Sequence, residues 1–220
     1  AYHFFGGDLS KFILHYSLKD TRSIATENDW RNTYIVESSL GRVHKDAVPY
    51  FEAAYHYLQN TYVCVTLVNA KTSKETTGRL TLLYDLISKE TSYVPRFQSN
   101  LQYVSHHTLG TAIDVNDDMY PNKNIITNHE LIGTDVKEHL VYNGIKTADD
   151  GTQYYDFTYN GSYPGKFERV PKTIINYLLY ELAFYRAGFQ WGYYYETACD
   201  AMHFTLSETD INLHMHSDIG

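Results

Sequence analysis

Cysteine is scarce in this chain, with two in 220 residues, Cys64 and Cys199. That is too few for a disulfide scaffold or for a zinc site built on cysteine, and sequence alone leaves open whether the two pair. No histidine stands at a thiol-activating spacing from Cys199, which therefore reads as a buried structural thiol rather than a nucleophile. Basic residues are also few: 18 Lys and Arg against 26 Asp and Glu, for a net charge of -8. No basic cluster is long enough for a nucleic-acid footprint, so nucleic acid is excluded as a partner. No apolar run approaches the ~18 residues of a membrane span, and no stretch reads as a signal peptide. The chain opens on Ala1 rather than Met, as a mature or trimmed form would, and cytosolic residence does not follow from the missing leader.

What is present points to a folded enzyme-sized unit. Apolar residues make up 43% of the chain, enough for a packed core and against global disorder. The 22 tyrosines outnumber 10 phenylalanines and 2 tryptophans. Tyrosine suits wet grooves that face carbohydrate or peptide, although a compositional habit of the source explains the excess as well. No repeat or linker divides the chain, so one α+β domain is expected over 1–220. Residues 1–44 form a weakly periodic N-terminal extension. Residues 137–168, with Gly144, Asp150-Gly151, Asn160-Gly161 and Pro164-Gly165, read as a hairpin or an insertion.

Several elements are legible. Asp46-Ala47-Val48-Pro49 opens a helix to about Gln59, with Val48, Phe51, Ala54, Tyr55 and Leu58 on one face. Tyr62–Val68 is β-branched and reads as a buried strand. Leu80–Ile87 reads as a short helix, and Gly110–Val115 and His203–Leu206 as strands. Pro171–Ala187 is the clearest helix, with Ile174, Ile175, Leu178, Leu179 and Leu182 as its apolar stripe and Gly188 as its stop.

The chemistry concentrates in two fragments. Ser105-His106-His107-Thr108-Leu109-Gly110-Thr111-Ala112-Ile113-Asp114 ends on a carboxylate seven residues after His107. Asp200-Ala201-Met202-His203 follows roughly ninety residues later. Two imidazoles and a carboxylate are the ligand set of a catalytic zinc site with an open fourth position. Gly110 would let the chain turn so that histidine and aspartate converge, and Asp200 is placed to act as a general base on water. On spacing alone His106 rivals His107. His129, His139, His214 and His216 lack a carboxylate partner at a matching spacing and read as surface residues or supports.

These fragments carry a resemblance. Ser105 to Asp114 fits Ser-x-His-x-x-Gly-x-Ala-x-Asp, and Gly188-Phe189-Gln190-Trp191-Gly192 with Asp200-Ala201-Met202-His203-Phe204 fits Gly-Phe-x-Trp-Gly and Asp-x-x-His-Phe. The chain resembles the VanY-type D-alanyl-D-alanine carboxypeptidases and L-alanyl-D-glutamate endopeptidases, zinc enzymes that cut bacterial cell-wall peptides. The resemblance covers about 90–118 and 170–206 and does not reach 1–40 or 125–168. It implies a Zn2+ ion on His107, Asp114 and His203, which settles His107 over His106, and Asp200 as the general base. It further implies Arg96 as a grip on the substrate or the developing oxyanion, Ser105 as a brace for the metal loop, and Trp191 as a wall of the substrate pocket. The implied fold is a small antiparallel sheet flanked by helices, with the zinc at the sheet, as in LAS and hedgehog-like proteins. The implied substrate is a peptidoglycan stem peptide and the implied location extracytoplasmic, secreted or bound to the cell wall. Tyr193 and Thr205 replace the family's usual glycine and glutamate, which alters the groove but removes no ligand. The rival readings are a catalytically inactive cell-wall-binding module on the same fold and a structural zinc protein. Exo- or endopeptidase action and oligomeric state stay open.

Overall fold

A computed structural model describes residues 31–32, 34–69, 72–94, 106–117, 140–160, 172–195 and 200–206. Arg96, Ser105, Cys199, His129, His139, His214 and His216 lie outside the described residues, as do the first thirty.

Strands β1 (Ile35–Ser38) and β2 (Gly41–His44) form an antiparallel hairpin. A single 3-10 turn, Lys45–Ala47, then leads into helix α1 (Val48–Asn60). The imidazole of His44 caps this entry, its Nδ1 accepting from the Asp46 N–H at 3.1 Å. Pro49 falls in the first turn of α1, where its missing N–H is not needed. Phe51, Ala54 and Leu58 turn one face into the core, as their spacing predicts.

Strand β3 (Tyr62–Val68) follows, and burial alternates along it, with Val63, Val65 and Leu67 facing inward. The expected helix over Leu80–Ile87 is not what forms. Two residues of strand, β5 (Thr81–Leu82), precede a 3-10 turn, Leu83–Leu86, and β4 (Glu75–Thr76) lies before them. β5 pairs with β3, so the apolar segment is held by the sheet edge rather than by a helical stripe. The hairpin expected within 137–168 is present as β8 (Leu140–Thr147) and β9 (Gln153–Tyr159). It is integrated into a mixed sheet of order β4-β3-β9-β8, in which β3 and β9 run parallel from Val63↔Tyr155 to Leu67↔Tyr159. The fold is therefore α+β with more than the one small antiparallel sheet expected. Alternation within 153–159 specifies a strand, but nothing local to it names β3 as the partner.

In this sheet the Cys64 thiol is half-buried and donates to the Gly78 carbonyl at 3.3 Å. Burial, then the neighbouring Asp156 charge, pushes its pKa up, which makes it a poor nucleophile.

The second sheet carries the candidate site. It is antiparallel, in the order β10 (Phe189–Trp191), β11 (His203–Leu206), β7 (Ala112–Val115), β6 (Glu90–Thr91). A four-residue helix, α2 (His106–Leu109), leads into β7. Helix α3 (Lys172–Leu179) continues as a π-helical turn, Tyr180–Phe184, closed by a bond from the Tyr185 N–H to the Tyr180 carbonyl at 2.8 Å. It packs its apolar stripe behind this sheet. Phe184 stacks on Phe204 with ring centroids 4.5 Å apart, and Phe51 of α1 meets Phe189 edge-on at 4.9 Å. Among the described residues no helix is long and apolar enough to cross a membrane.

Candidate metal centre

The register of the site sheet does most of the assembly. β11 and β7 run antiparallel with His203 directly opposite Asp114, so two residues 89 apart in sequence become cross-strand neighbours. His107 joins them from α2 through the turn at Gly110. That glycine sits at φ +74°, in the left-handed region, and its N–H bonds back to the His107 carbonyl at 3.1 Å. Its carbonyl accepts from the His44 N–H at 2.8 Å, which ties the turn to the β1–β2 hairpin. A Cβ there would stand 2.4 Å from the His44 nitrogen and 3.0 Å from the Val43 carbonyl carbon, both backbone. Gly110→Ala is therefore expected to cost about 2 kcal/mol or more and to pull His107 off the site. Thermal melts of the metal-free variant, paired with a zinc titration, check both parts.

The three donor atoms form a nearly equilateral triangle. His107 Nε2 lies 3.0 Å from Asp114 Oδ1 and 3.2 Å from His203 Nδ1, and His203 Nδ1 lies 3.0 Å from Asp114 Oδ1. Metal bonds of ~2.0–2.1 Å in a tetrahedron give ligand–ligand edges of roughly 3.3 Å, close to the edges of this triangle. The donor chemistry agrees. His107 Nδ1 is 2.7 Å from the Ser92 carbonyl, which can only accept, so this nitrogen carries a proton. The same ring turns its Nε2 toward a carboxylate oxygen and a second imidazole nitrogen. Such a convergence is repulsive until a proton or a cation sits within it. These three residues could thus hold a metal ion. His107 is 1% exposed, while Asp114 and His203 are each 13% exposed, so the centre is most enclosed at His107.

The electrostatics follow from these contacts. Burial by itself would push the Asp114 carboxyl up, but hydrogen bonds from His107 and His203, with their charge, hold it well below the usual carboxylate range. Tyr195, whose ring centroid is 6.2 Å from that of His203, shows the opposite behaviour. Burial, then the charges of Asp200 and Asp114, pushes its pKa up to about 12, so at neutral pH it is a protonated phenol beside the site.

Asp200 precedes β11 in a turn that the backbone holds firmly. Its N–H donates to the Gly192 carbonyl at 2.9 Å, its own carbonyl accepts from the His203 N–H at 3.2 Å, and the Met202 carbonyl accepts from the Val115 N–H at 2.8 Å. Gly192 is needed for this approach, because a Cβ on it would stand 2.6 Å from the Asp200 oxygen. Trp191 departs from its expected place as a pocket wall. It is 1% exposed, packs on Tyr193 with centroids 4.6 Å apart, and donates from Nε1 to the Ala201 carbonyl at 2.8 Å. An indole so enclosed supports the Asp200 turn from behind and presents no face to a substrate.

His106, the rival on spacing, points elsewhere, its Nδ1 lying 2.8 Å from Thr205 Oγ1. Thr205, one of the two departures from the motif, thereby links α2 to β11. The sequence reading missed this pairing, the Ser92 carbonyl and the buried Asn176, whereas Asn116 stood in it as the continuation of the Ser105–Asp114 motif and Tyr195 as one of three tyrosines that narrow the cleft.

A family model described as D-alanyl-D-alanine carboxypeptidase matches residues 99–206, just under half of the chain. No curated protein and no solved structure gave a significant match. The matched span contains both fragments that meet at the triangle of His107, Asp114 and His203, and over that span the chain is similar to the D-alanyl-D-alanine carboxypeptidase family.

Proposed function

We propose that this protein is a zinc-dependent peptidase that hydrolyses peptidoglycan stem peptides, as a D-alanyl-D-alanine carboxypeptidase or an L-alanyl-D-glutamate-type endopeptidase. The observation that carries the reading is the triangle of two imidazole nitrogens and one carboxylate oxygen with edges of 3.0–3.2 Å, two of whose residues keep some exposure. Three protein ligands with a free side are the arrangement of catalytic rather than structural zinc. When bound, zinc polarises the scissile carbonyl and brings the pKa of a water to about 7.

The chain supplies the rest. His107, whose Nδ1 is tied to the Ser92 carbonyl, and His203 and Asp114, fixed by the β7–β11 register, would hold the ion. Asp200 takes a proton from the attacking water and delivers it to the leaving amine, which needs a carboxylate at the rim and not on the metal. Arg96 is assigned to the oxyanion, where a donor is worth ~3 kcal/mol, and Ser105 to the loop before α2. The proposed fold kinship is with LAS and hedgehog-like zinc proteins, and the proposed setting is outside the cytoplasm, at the cell wall, where the substrate lies.

The test is zinc analysis together with mass spectrometry of a digested muropeptide mixture, for the wild type and His203→Ala. One zinc per chain and loss of a terminal D-alanine, or scission after L-alanine, is expected for the wild type, with both lost in the variant. Stoichiometric zinc without any cleavage would turn the assignment to a binding module. Cleavage retained by His203→Ala would remove the metal from the mechanism.

A further inference from the structure

Asn176 lies in α3 with no exposed surface, between the buried Ile174 and Leu178 and about one turn before Leu179. An asparagine is a poor choice there. It is weaker than leucine as a helix former, and a carboxamide in a core must find partners for two donors and an acceptor. All three are found, and they converge on the metal centre. Nδ2 donates to the Val115 carbonyl at 3.0 Å and to the Ala201 carbonyl at 2.8 Å. Oδ1 accepts from Asn116 Nδ2 at 3.0 Å. Asn116 is itself fully buried, with φ +60°, and is saturated in turn. Its second N–H goes to the Leu86 carbonyl at 3.2 Å, and its oxygen accepts from the Ser88 N–H at 2.7 Å and the Ser88 hydroxyl at 3.0 Å.

The two carbonyls that Asn176 bridges adjoin the two carboxylates of the site. Val115 follows Asp114, and Ala201 follows Asp200. The β7–β11 ladder pairs Asp114 with His203, and the bond from the Val115 N–H to Met202 is the last to join the two segments before the Asp200 turn leaves the sheet. Past that point two acceptors, the Val115 and Ala201 oxygens, meet at the Asn176 amide. Left alone they would repel, and the turn that carries Asp200 would swing away from the strand that carries Asp114. A single –NH2 group supplies one proton to each.

We infer that Asn176 is a positioning residue, whose carboxamide sets the separation between the metal-ligand strand and the turn of the general base. This rests on the peptidase reading given above for what Asp200 does, but the clamp also acts on the metal ligands themselves. Trp191 shares the Ala201 oxygen, so without Asn176 that carbonyl keeps one donor while the Val115 carbonyl loses the Asn176 one.

The experiment compares Asn176→Leu, which keeps the volume and removes both donors, with Asn176→Ser, which can still donate to one carbonyl. Ile174→Val on the same helix serves as a control for lost stability. Each is loaded with cobalt in place of zinc for its visible absorption spectrum, titrated for zinc affinity against a chelator, and assayed for kcat and KM on a stem peptide. In Asn176→Leu the cobalt spectrum is expected to change, zinc affinity to fall ~10–100-fold, as on loss of a group that supports a metal ligand, and kcat to fall more than KM rises. Asn176→Ser should lie between it and the wild type. Ile174→Val should lower the melting temperature with the wild-type spectrum and kcat. If Asn176→Leu melts lower but keeps the wild-type spectrum, zinc affinity and kcat, the amide serves stability alone and the inference is overturned. Variants that fail to fold at all would overturn it too, by placing the bonds in the fold rather than the site. A wild type that binds cobalt but cleaves nothing defeats the peptidase reading and leaves the spectral comparison intact.

Discussion

An Asp200→Asn variant is expected to keep its metal and lose ~10²–10⁴-fold in kcat, the usual worth of a positioned general base. The substitution is nearly isosteric, and backbone bonds at Asp200, Met202 and His203 hold the turn that carries the residue. The three candidate ligands should therefore stay in place. An amide cannot take a proton from water at neutral pH, so the loss should fall on kcat with little change in KM. Parallel measurement of bound zinc and steady-state kinetics decides it. A variant with wild-type kcat would show that the proton goes elsewhere, and one that loses zinc would place Asp200 among the ligands.

Asp114→Ala should lose the metal itself. Two imidazoles remain, and zinc affinity is expected to drop well beyond the ~100-fold seen when only a supporting group is removed. Activity should vanish with it and should return only in part at high zinc. The metal-free protein offers an independent check. Asp114 has its carboxyl held below the ordinary range by His107 and His203 despite its burial. A carboxyl whose folded pKa is depressed stabilises the fold above the unfolded value of ~3.9 and loses that contribution as the pH falls through the folded value. The metal-free wild type should thus be more stable than Asp114→Ala near neutrality, with the gap closing in strong acid. Denaturant melts across pH with a chelator present would show it, and a gap that widens in acid would contradict the hydrogen bonds on which the centre is built.

How far the sequence speaks differs between the parts of the site. Gly110, Asp114 and His203 were legible because zinc chemistry restricts the residue types and a glycine is required where the chain turns at φ +74°, whereas His107 was chosen over His106 only by the family resemblance. Trp191 was legible as a residue but not in its role. An indole at a motif position reads equally as a pocket wall or as a core anchor, and only its 1% exposure and its bond to Ala201 choose between them. The Ser92 carbonyl that fixes the His107 tautomer left no sequence signal at all, since every residue has a carbonyl. The segment 80–87 misled because a short apolar run suits a strand edge as well as a helix.

By itself the sequence determined the donor types, their order along the chain, the helices α1 and α3 and the strands β3, β7 and β11. Those follow from side-chain chemistry and from periodicity, which are local properties. Tertiary structure alone decided that His203 faces Asp114, that β9 runs parallel to β3, and that one buried amide joins Val115 to Ala201. Each of these is a choice of partner between segments far apart in the chain. Such choices are made by the shared burial of apolar faces and by the need to satisfy every enclosed polar group, and neither can be read from one segment at a time.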